Sequence, residues 1–268
     1  MSDEIKQKIG HAAHDNTVIG QQNNYGLTPL EASKLAIDLF MENFPKLQEQ
    51  AMETAKQRVK EFCQVTMEKL TAYNQENLSS FTDPDVQYIL INAQRDYARF
   101  GTQDLLNALT SLICKRIISN DDDILKSVIN DAINTAKYLN ENHMDLLSLI
   151  FIAKHISLPI ISMKSTAAER LEDLKTYLNF FANTFSKATI DAFGSIQNFN
   201  CLVIKLGKAS DSLSKIYNIN KEDIETICPS IFELVPGDYG LSYTGIVLAI
   251  INIEKKTYLN LNMKTWIK

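Results

Sequence analysis

Apolar residues recur at helical spacing along most of the first 190 residues. Between Lys46 and Asn77 they follow one another at steps of three and four residues. A mean step close to the 3.6 residues of a helical turn predicts a nearly straight amphipathic helix. We expect Pro45 to separate it from an earlier helix ending near Asn43, because proline removes a backbone donor and clashes with the preceding turn.

Start and stop signals divide the following part of the chain into further helices. The segment Asp83-Pro84-Asp85 combines a capping side chain with a proline in the first turn, and Thr102 is a second capping residue. Gly101 is expected to end the helix between them. The helix from about Asn142 to Ile156 is apolar on nearly all sides, which predicts a place in the middle of a bundle.

The pattern changes after residue 198. Cys201–Leu206 is a short apolar run suited to a buried strand, and apolar and polar residues alternate between Leu259 and Ile267. Alternation with a period of two is typical of a strand. Together the two segments predict a small sheet near the C-terminus.

The predicted fold class is therefore mainly α, a multi-helix bundle with a small C-terminal α+β lobe. We expect a flexible, Asn/Gln-rich tail over residues 1–27, because it contains little apolar mass and no periodicity. The helical bundle is expected over residues 28–190 and the lobe over residues 198–268.

Composition and charge narrow the class of protein. The 268 residues are 45% hydrophobic and 22% charged, as in an ordinary globular protein. The net charge of -5 gives no electrostatic reason to expect nucleic acid as a partner. No apolar stretch approaches the roughly 20 residues of a membrane span, and the first ten residues lack the apolar region of a signal peptide. We expect a cytoplasmic protein without a membrane span.

Motifs for catalysis, cofactors or metals are not evident. The sequence lacks GxSxG, the phosphate-binding P-loop and GxGxxG. His11 and His14 have a spacing that suits a metal, but no third ligand accompanies them. The four cysteines lie far apart and beside apolar residues, which predicts buried free thiols. The sequence therefore predicts no catalytic, cofactor or metal residues and favours a protein that is not an enzyme.

The tail carries the most specific signal for assembly. Residues 16–25 read NTVIGQQNNY and join a β-branched pair to a run of amides. Stacked in register, the amide side chains would form ladders and the β-branched pair would interdigitate. The predicted assembly motif consists of Val18, Ile19, Gln21, Gln22, Asn23, Asn24 and Tyr25.

A second candidate site lies on the helix after Pro84. Arg95 and Arg99 are four residues apart and share a helix face, with Asp96 and Tyr97 between them. Such a pair suits an anion or an acidic partner. Ion pairs between helices would use the same two arginines, and the sequence leaves both interpretations open.

Several segments together resemble a family of uncharacterised bacterial helical proteins with an Asn/Gln-rich motif ahead of a helical body. They are residues 23–28, 83–87, 94–99, 146–152 and 241–246. The resemblance implies no activity and transfers no residue roles. Polar N-terminal motifs of this kind accompany bacterial conflict and phage-defence proteins, and this association implies a role in defence.

The leading hypothesis is a non-enzymatic assembly or adaptor protein that acts by protein–protein interaction through residues 16–25, with a protein partner or with itself, in bacterial stress or phage defence. One alternative is an enzyme or ligand sensor with an anion site at Arg95 and Arg99, between the helical body and the C-terminal lobe. Another is a membrane-acting effector that exposes the helix around Leu146–Ile152 on activation.

Overall fold

The computed structural model describes residues 29–73, 80–119, 122–156, 159–184, 199–204, 208–227, 229, 239–257 and 259–267. This part of the chain is mainly α-helical and includes a small two-stranded sheet, which confirms the predicted fold class. Contacts divide the chain into two compact units, Met1–Glu53 and Thr54–Lys268.

Among the described elements, all those before β1 are helices. In chain order the elements are α1 (Pro29–Tyr73), α2 (Pro84–Phe100), α3 (Gln103–Ile118), α4 (Asp123–Ala136), α5 (Glu141–Lys154), α6 (Pro159–Ser162), α7 (Ala167–Thr184), β1 (Leu202–Ile204), α8 (Ala209–Tyr217), α9 (Lys221–Ile227), β2 (Tyr239–Leu241), α10 (Tyr243–Lys256) and a 3-10 helix, Met263–Thr265.

Pro45 lies inside α1, so the predicted separation into two helices at this residue is wrong. A proline within a helix removes one hydrogen bond and costs about 3 kcal/mol. The helical turns on both sides of Pro45 outweigh that local cost. Near the proline, the Asn43 side chain donates a hydrogen bond to the Leu39 carbonyl at 2.8 Å.

The helix α5 lies at the centre of the second unit. Every residue from Met144 to Lys154 is buried, which confirms the position predicted from its all-round apolar pattern. The main neighbour of α5 is α10, which also packs against α3 and α4. The helix α10 therefore belongs to the same compact unit as α2 to α5. The domain boundaries expected near residues 27 and 190–198 stay predictions.

The two strands pair in an antiparallel sheet, with Leu202 opposite Leu241 and Ile204 opposite Tyr239. Within the predicted Cys201–Leu206, the strand β1 confirms Leu202–Ile204, and residues 205 and 206 lie outside the described residues. The strand predicted over Leu259–Ile267 is wrong, because Met263–Thr265 form a 3-10 helix that the Asn262 side chain caps. Met263 and Ile267 are both buried, four residues apart.

The turn into α10 joins β1 to the centre of the second unit. The Ser242 amide donates to the Cys201 carbonyl at 3.0 Å, and its hydroxyl donates to the Asn200 carbonyl at 2.7 Å. The same hydroxyl accepts from the Gly245 amide at 3.1 Å. A Cβ on Gly245 would lie 2.2 Å from the Cys201 carbonyl oxygen, so this approach requires glycine.

The helix α2 begins and ends as predicted, and a residue of α1 completes its C-terminal cap. The Asp83 side chain accepts from the Asp85 amide, and Gly101 adopts the left-handed conformation with φ of 64°. The Arg58 guanidinium donates to the Ala98 carbonyl at 2.9 Å and to the next carbonyl at 3.2 Å. A Cβ on Gly101 would lie 2.1 Å from Arg58 Cζ.

Replacing Gly101 with alanine is expected to lower the free energy of unfolding by about 1–2 kcal/mol, because the left-handed conformation strains an L-residue and the new Cβ displaces Arg58. Urea denaturation of the full chain measures the change. In the Arg58→Ala background the same substitution should cost less, since only the backbone strain remains. An equal loss in both backgrounds would contradict the role given to Arg58.

Candidate functional site

Residues 29–53 of α1, in the first unit, carry a set of exposed apolar side chains. Leu30 is 80% exposed and Phe44, the least exposed of the set, is 45% exposed. The full set comprises Leu30, Leu35, Ile37, Leu39, Phe40, Met41, Phe44, Leu47 and Met52. So many large apolar groups on one short segment indicate a surface for interaction.

Most of these side chains lie on one side of the helix. At about 100° per residue, six of them fall within an arc of about 120°. We call this arc the α1 face, and it consists of Leu30, Ile37, Phe40, Met41, Phe44 and Leu47. The rings of Phe40 and Phe44 are 5.5 Å apart within it. Leu35 and Leu39 lie on the opposite side of the helix.

The α1 face has the spacing of a coiled-coil seam. Leu30, Ile37 and Phe44 are seven residues apart, as are Phe40 and Leu47, and the two series interleave at steps of three and four. Apolar residues at these two positions of a seven-residue repeat are the pattern with which helices pair side by side.

Charges are placed away from the α1 face. The acidic residues of the segment occupy the outer positions of the repeat and are Glu31, Asp38, Glu42, Glu49 and Glu53. The positions that flank the seam are occupied by Lys34, Ala36, Met41, Asn43, Gln48 and Gln50. Lys34 is the one charged residue of this flanking set, so a partner helix packed on the α1 face meets little charge.

The predicted assembly motif, Val18, Ile19, Gln21, Gln22, Asn23, Asn24 and Tyr25, lies outside the described residues. The Asn/Gln-rich segment therefore stays a prediction.

The structure places Arg95 and Arg99 on an exposed side of α2. The residues between them face other helices, since Asp96 pairs with Lys137 at 3.0 Å and the Tyr97 hydroxyl donates to Glu61 at 2.6 Å. Burial and the Glu61 carboxylate raise the pKa of Tyr97 to about 12. Anion binding by Arg95 and Arg99 stays a prediction.

A charge cluster centred on the buried Arg116 joins the start of α2 to α3 and α4. The Arg116 side chain is 3% exposed and pairs with Asp85. Arg116 Nε also donates to Asn130 at 3.1 Å, and the Asn130 amide donates to Asp85 at 3.1 Å. Burial alone would raise the pKa of Asp85, but the hydrogen bonds from Arg116 and Asn130, together with the Arg116 charge, hold it below its ordinary value.

Replacing Asp85 with asparagine should lower the free energy of unfolding by about 1–2 kcal/mol at neutral pH, because Arg116 then keeps a buried charge with a weaker partner. The loss stays below that of a fully buried pair, since Asp85 is 47% exposed. Asp131, exposed on α4, provides the matched control Asp131→Asn, for which little change is expected.

The pH dependence gives this prediction a second test. The folded protein lowers the pKa of Asp85. The ion pair therefore makes its full contribution to the free energy of unfolding above the pKa that Asp85 has in the unfolded chain. This contribution is lost as the pH falls through the lower pKa of the folded protein. The difference between the native chain and Asp85→Asn should therefore shrink in acid. A difference that is constant between neutral and acidic pH would contradict the ion pair.

The second unit contains a cavity of about 430 Å³, within the range of small-molecule sites. Its lining comes from the C-terminal part of α1, from α3, from the end of α4 through the start of α5, and from α10. Much of the wall is apolar and consists of Ala72, Leu105, Ala108, Leu139, Met144 and Ile251.

Lys69 brings a positive charge to this cavity. Its ammonium group lies 2.8 Å from the hydroxyls of Thr110 and Ser111 and 3.3 Å from the Asn107 carbonyl. All three partners are neutral. Burial lowers the pKa of Lys69 below its ordinary value, and the nearby Cys114 thiol offsets this only in part.

The carboxylates at the cavity have other cationic partners. Asp104 pairs with Lys255 at 2.6 Å, Glu254 with Lys115 at 3.0 Å and Glu141 with Lys256 at 3.2 Å. In the part of the chain that the structure describes, no carboxylate forms an ion pair with Lys69. No local pattern in the sequence marks Lys69, because its partners lie about forty residues away on α3.

The described cysteines have the environment of structural thiols. Cys114 and Cys201 are buried free thiols, as predicted, whereas Cys63 is free but only partly buried. Burial raises the pKa of Cys114 to about 11 and that of Cys201 to about 12, so both are protonated at neutral pH.

The described residues contain no group of three or more side chains placed to hold a metal ion. Among them there is also no helix with the length and apolar character needed to cross a membrane.

Comparison with known proteins places the chain in a family. The model of an uncharacterised family matches residues 26–236, which is most of the chain. The chain belongs to this family. The match begins at Gly26 and includes α1, whereas the Asn/Gln-rich motif lies outside it. No curated protein matches the chain, and no solved structure matches it.

Proposed function

We propose that this protein acts by protein–protein assembly and that the α1 face pairs with the α1 face of a second copy. The observation that carries the proposal is the exposed apolar arc from Leu30 to Leu47. Fully burying a side chain of this size stabilises an interface by about 1.5–3 kcal/mol, so leaving six of them in water is costly.

The charge pattern favours a second copy as the partner. When two such faces pair, the seam residues of one chain meet seam residues of the other, and the acidic residues of both chains stay on the outer sides. The interface therefore brings no pair of like acidic charges together. A basic partner would be attracted to the acidic side of the helix, but that side is not the apolar one.

The predicted tail motif, Val18–Tyr25, is a separable part of this proposal. It precedes α1 directly in sequence and would add a second mode of self-association by amide ladders. A role in bacterial stress or phage defence is proposed on the resemblance alone.

A membrane-acting role has less support. The apolar segment Leu146–Ile152 is buried in α5, in contact with α10. The segment would have to leave the centre of the second unit before it could meet a lipid surface.

Replacing Phe40 and Phe44 together with glutamine should shift the full chain from an oligomer to a monomer, because the centre of the seam loses its apolar contacts. Size-exclusion chromatography with light scattering measures the mass. The matched control replaces Leu35 and Leu39 with glutamine, since these leucines are also exposed on the same turns but lie on the opposite side. The proposal fails if both double variants keep the mass of the native chain.

A chain that starts at Leu27 separates the two modes of association. If the α1 face is sufficient, this chain keeps the oligomeric mass. If the mass falls although the α1 face is intact, the Asn/Gln-rich tail is the assembly element. Far-UV circular dichroism should show unchanged helix content for all these chains.

A further inference from the structure

We propose that the cavity of the second unit binds a small organic monoanion, with a carboxylate head group at Lys69 and an apolar body along the walls. Ligand binding at this cavity is independent of the proposed assembly.

The head group would lie beside Lys69 and Ser111. The Ser111 hydroxyl accepts from Lys69, and among the described residues it donates no hydrogen bond of its own. The contact of Lys69 with the Asn107 carbonyl is its longest, at 3.3 Å. A carboxylate that replaces the Asn107 carbonyl could therefore accept one hydrogen bond from the ammonium and one from the Ser111 hydroxyl. It would also supply the opposite charge that the neutral partners of Lys69 lack.

The other charges around the cavity set the charge of the ligand. Asp104, Glu141 and Glu254 line it, and each already pairs with a lysine. Of the two lysines among the described residues that line the cavity, Lys255 pairs with Asp104, and Lys69 has no carboxylate partner. A ligand with two or more negative charges would be repelled by these carboxylates, so nucleotides and inorganic phosphate fit poorly.

The walls set the shape of the ligand. A volume of about 430 Å³ exceeds what a carboxylate group alone would fill. Apolar side chains of α1, α3, α5 and α10 offer contacts to a hydrocarbon or aromatic body. The structure thus favours an amphipathic carboxylate over a small inorganic anion.

Octanoate is a suitable probe for the full chain, at concentrations below those at which it forms micelles. We expect the melting temperature Tm to rise with octanoate concentration, because a ligand that binds the folded state stabilises it. Inorganic phosphate, ATP and octylamine should not raise Tm. A larger rise with octylamine than with octanoate would overturn the proposal, since the carboxylates and not Lys69 would then select the ligand.

Lys69→Met tests the head-group contact by isothermal titration calorimetry. Loss of a charge-assisted hydrogen bond should weaken octanoate binding about 10- to 100-fold. Lys60→Met, which changes an exposed lysine of the same helix, is the matched control and should bind like the native chain. Equal affinity in both variants would mean that octanoate binds elsewhere and would overturn the proposal.

Two further measurements distinguish loss of the head-group contact from a general loss of structure. Without ligand, Lys69→Met should have an unchanged or higher Tm, because it removes a half-buried charge that has only neutral partners. Ser111→Ala keeps the lysine and should weaken octanoate binding several-fold. Native affinity in Ser111→Ala, together with failure of Lys69→Met to fold, would count against the assigned head-group site.

Discussion

The burial of α5 on all sides is the constraint on which the second unit depends. Because α5 is buried on every side, each of its faces needs another element packed against it. The cover includes α10 and β2, which come nearly one hundred residues later in the chain. This requirement ties the C-terminal segment to the helical bundle and explains why residues 54–268 form one compact unit.

The cost of exposing apolar surface to water applies to the α1 face as well as to α5. Apolar surface that nothing covers is as unfavourable on residues 29–53 as it would be on α5, and α1 leaves it exposed. In α5 the cover comes from the same chain. On the α1 face, the seven-residue spacing and the outward acidic residues suit a second copy as the cover. At the cavity, the group without a matching partner is a charge. The half-buried Lys69 ammonium has only neutral partners, and this suits an anionic ligand.

Local chemistry made much of the helical part predictable. The caps at Asp83, Gly101 and Thr102 depend on residues within one turn, and they are present as expected. The contacts that the sequence could not indicate are distant ones. Arg58 reaches α2 from about forty residues away, and the Lys69 site is assembled by three hydrogen bonds to α3. Two expectations failed because another local interaction outweighed the expected one. At Pro45 the helical turns on both sides continue the helix, and near Leu259 the Asn262 cap stabilises a 3-10 helix in place of a strand.

Hydrogen–deuterium exchange of the full chain at increasing protein concentration tests the central claim most directly. If the α1 face pairs with a second copy, amides of residues 29–53 should become more protected as the concentration rises, while those of α5 stay equally protected at every concentration. Protection of residues 29–53 that does not change with concentration would contradict self-association through the α1 face.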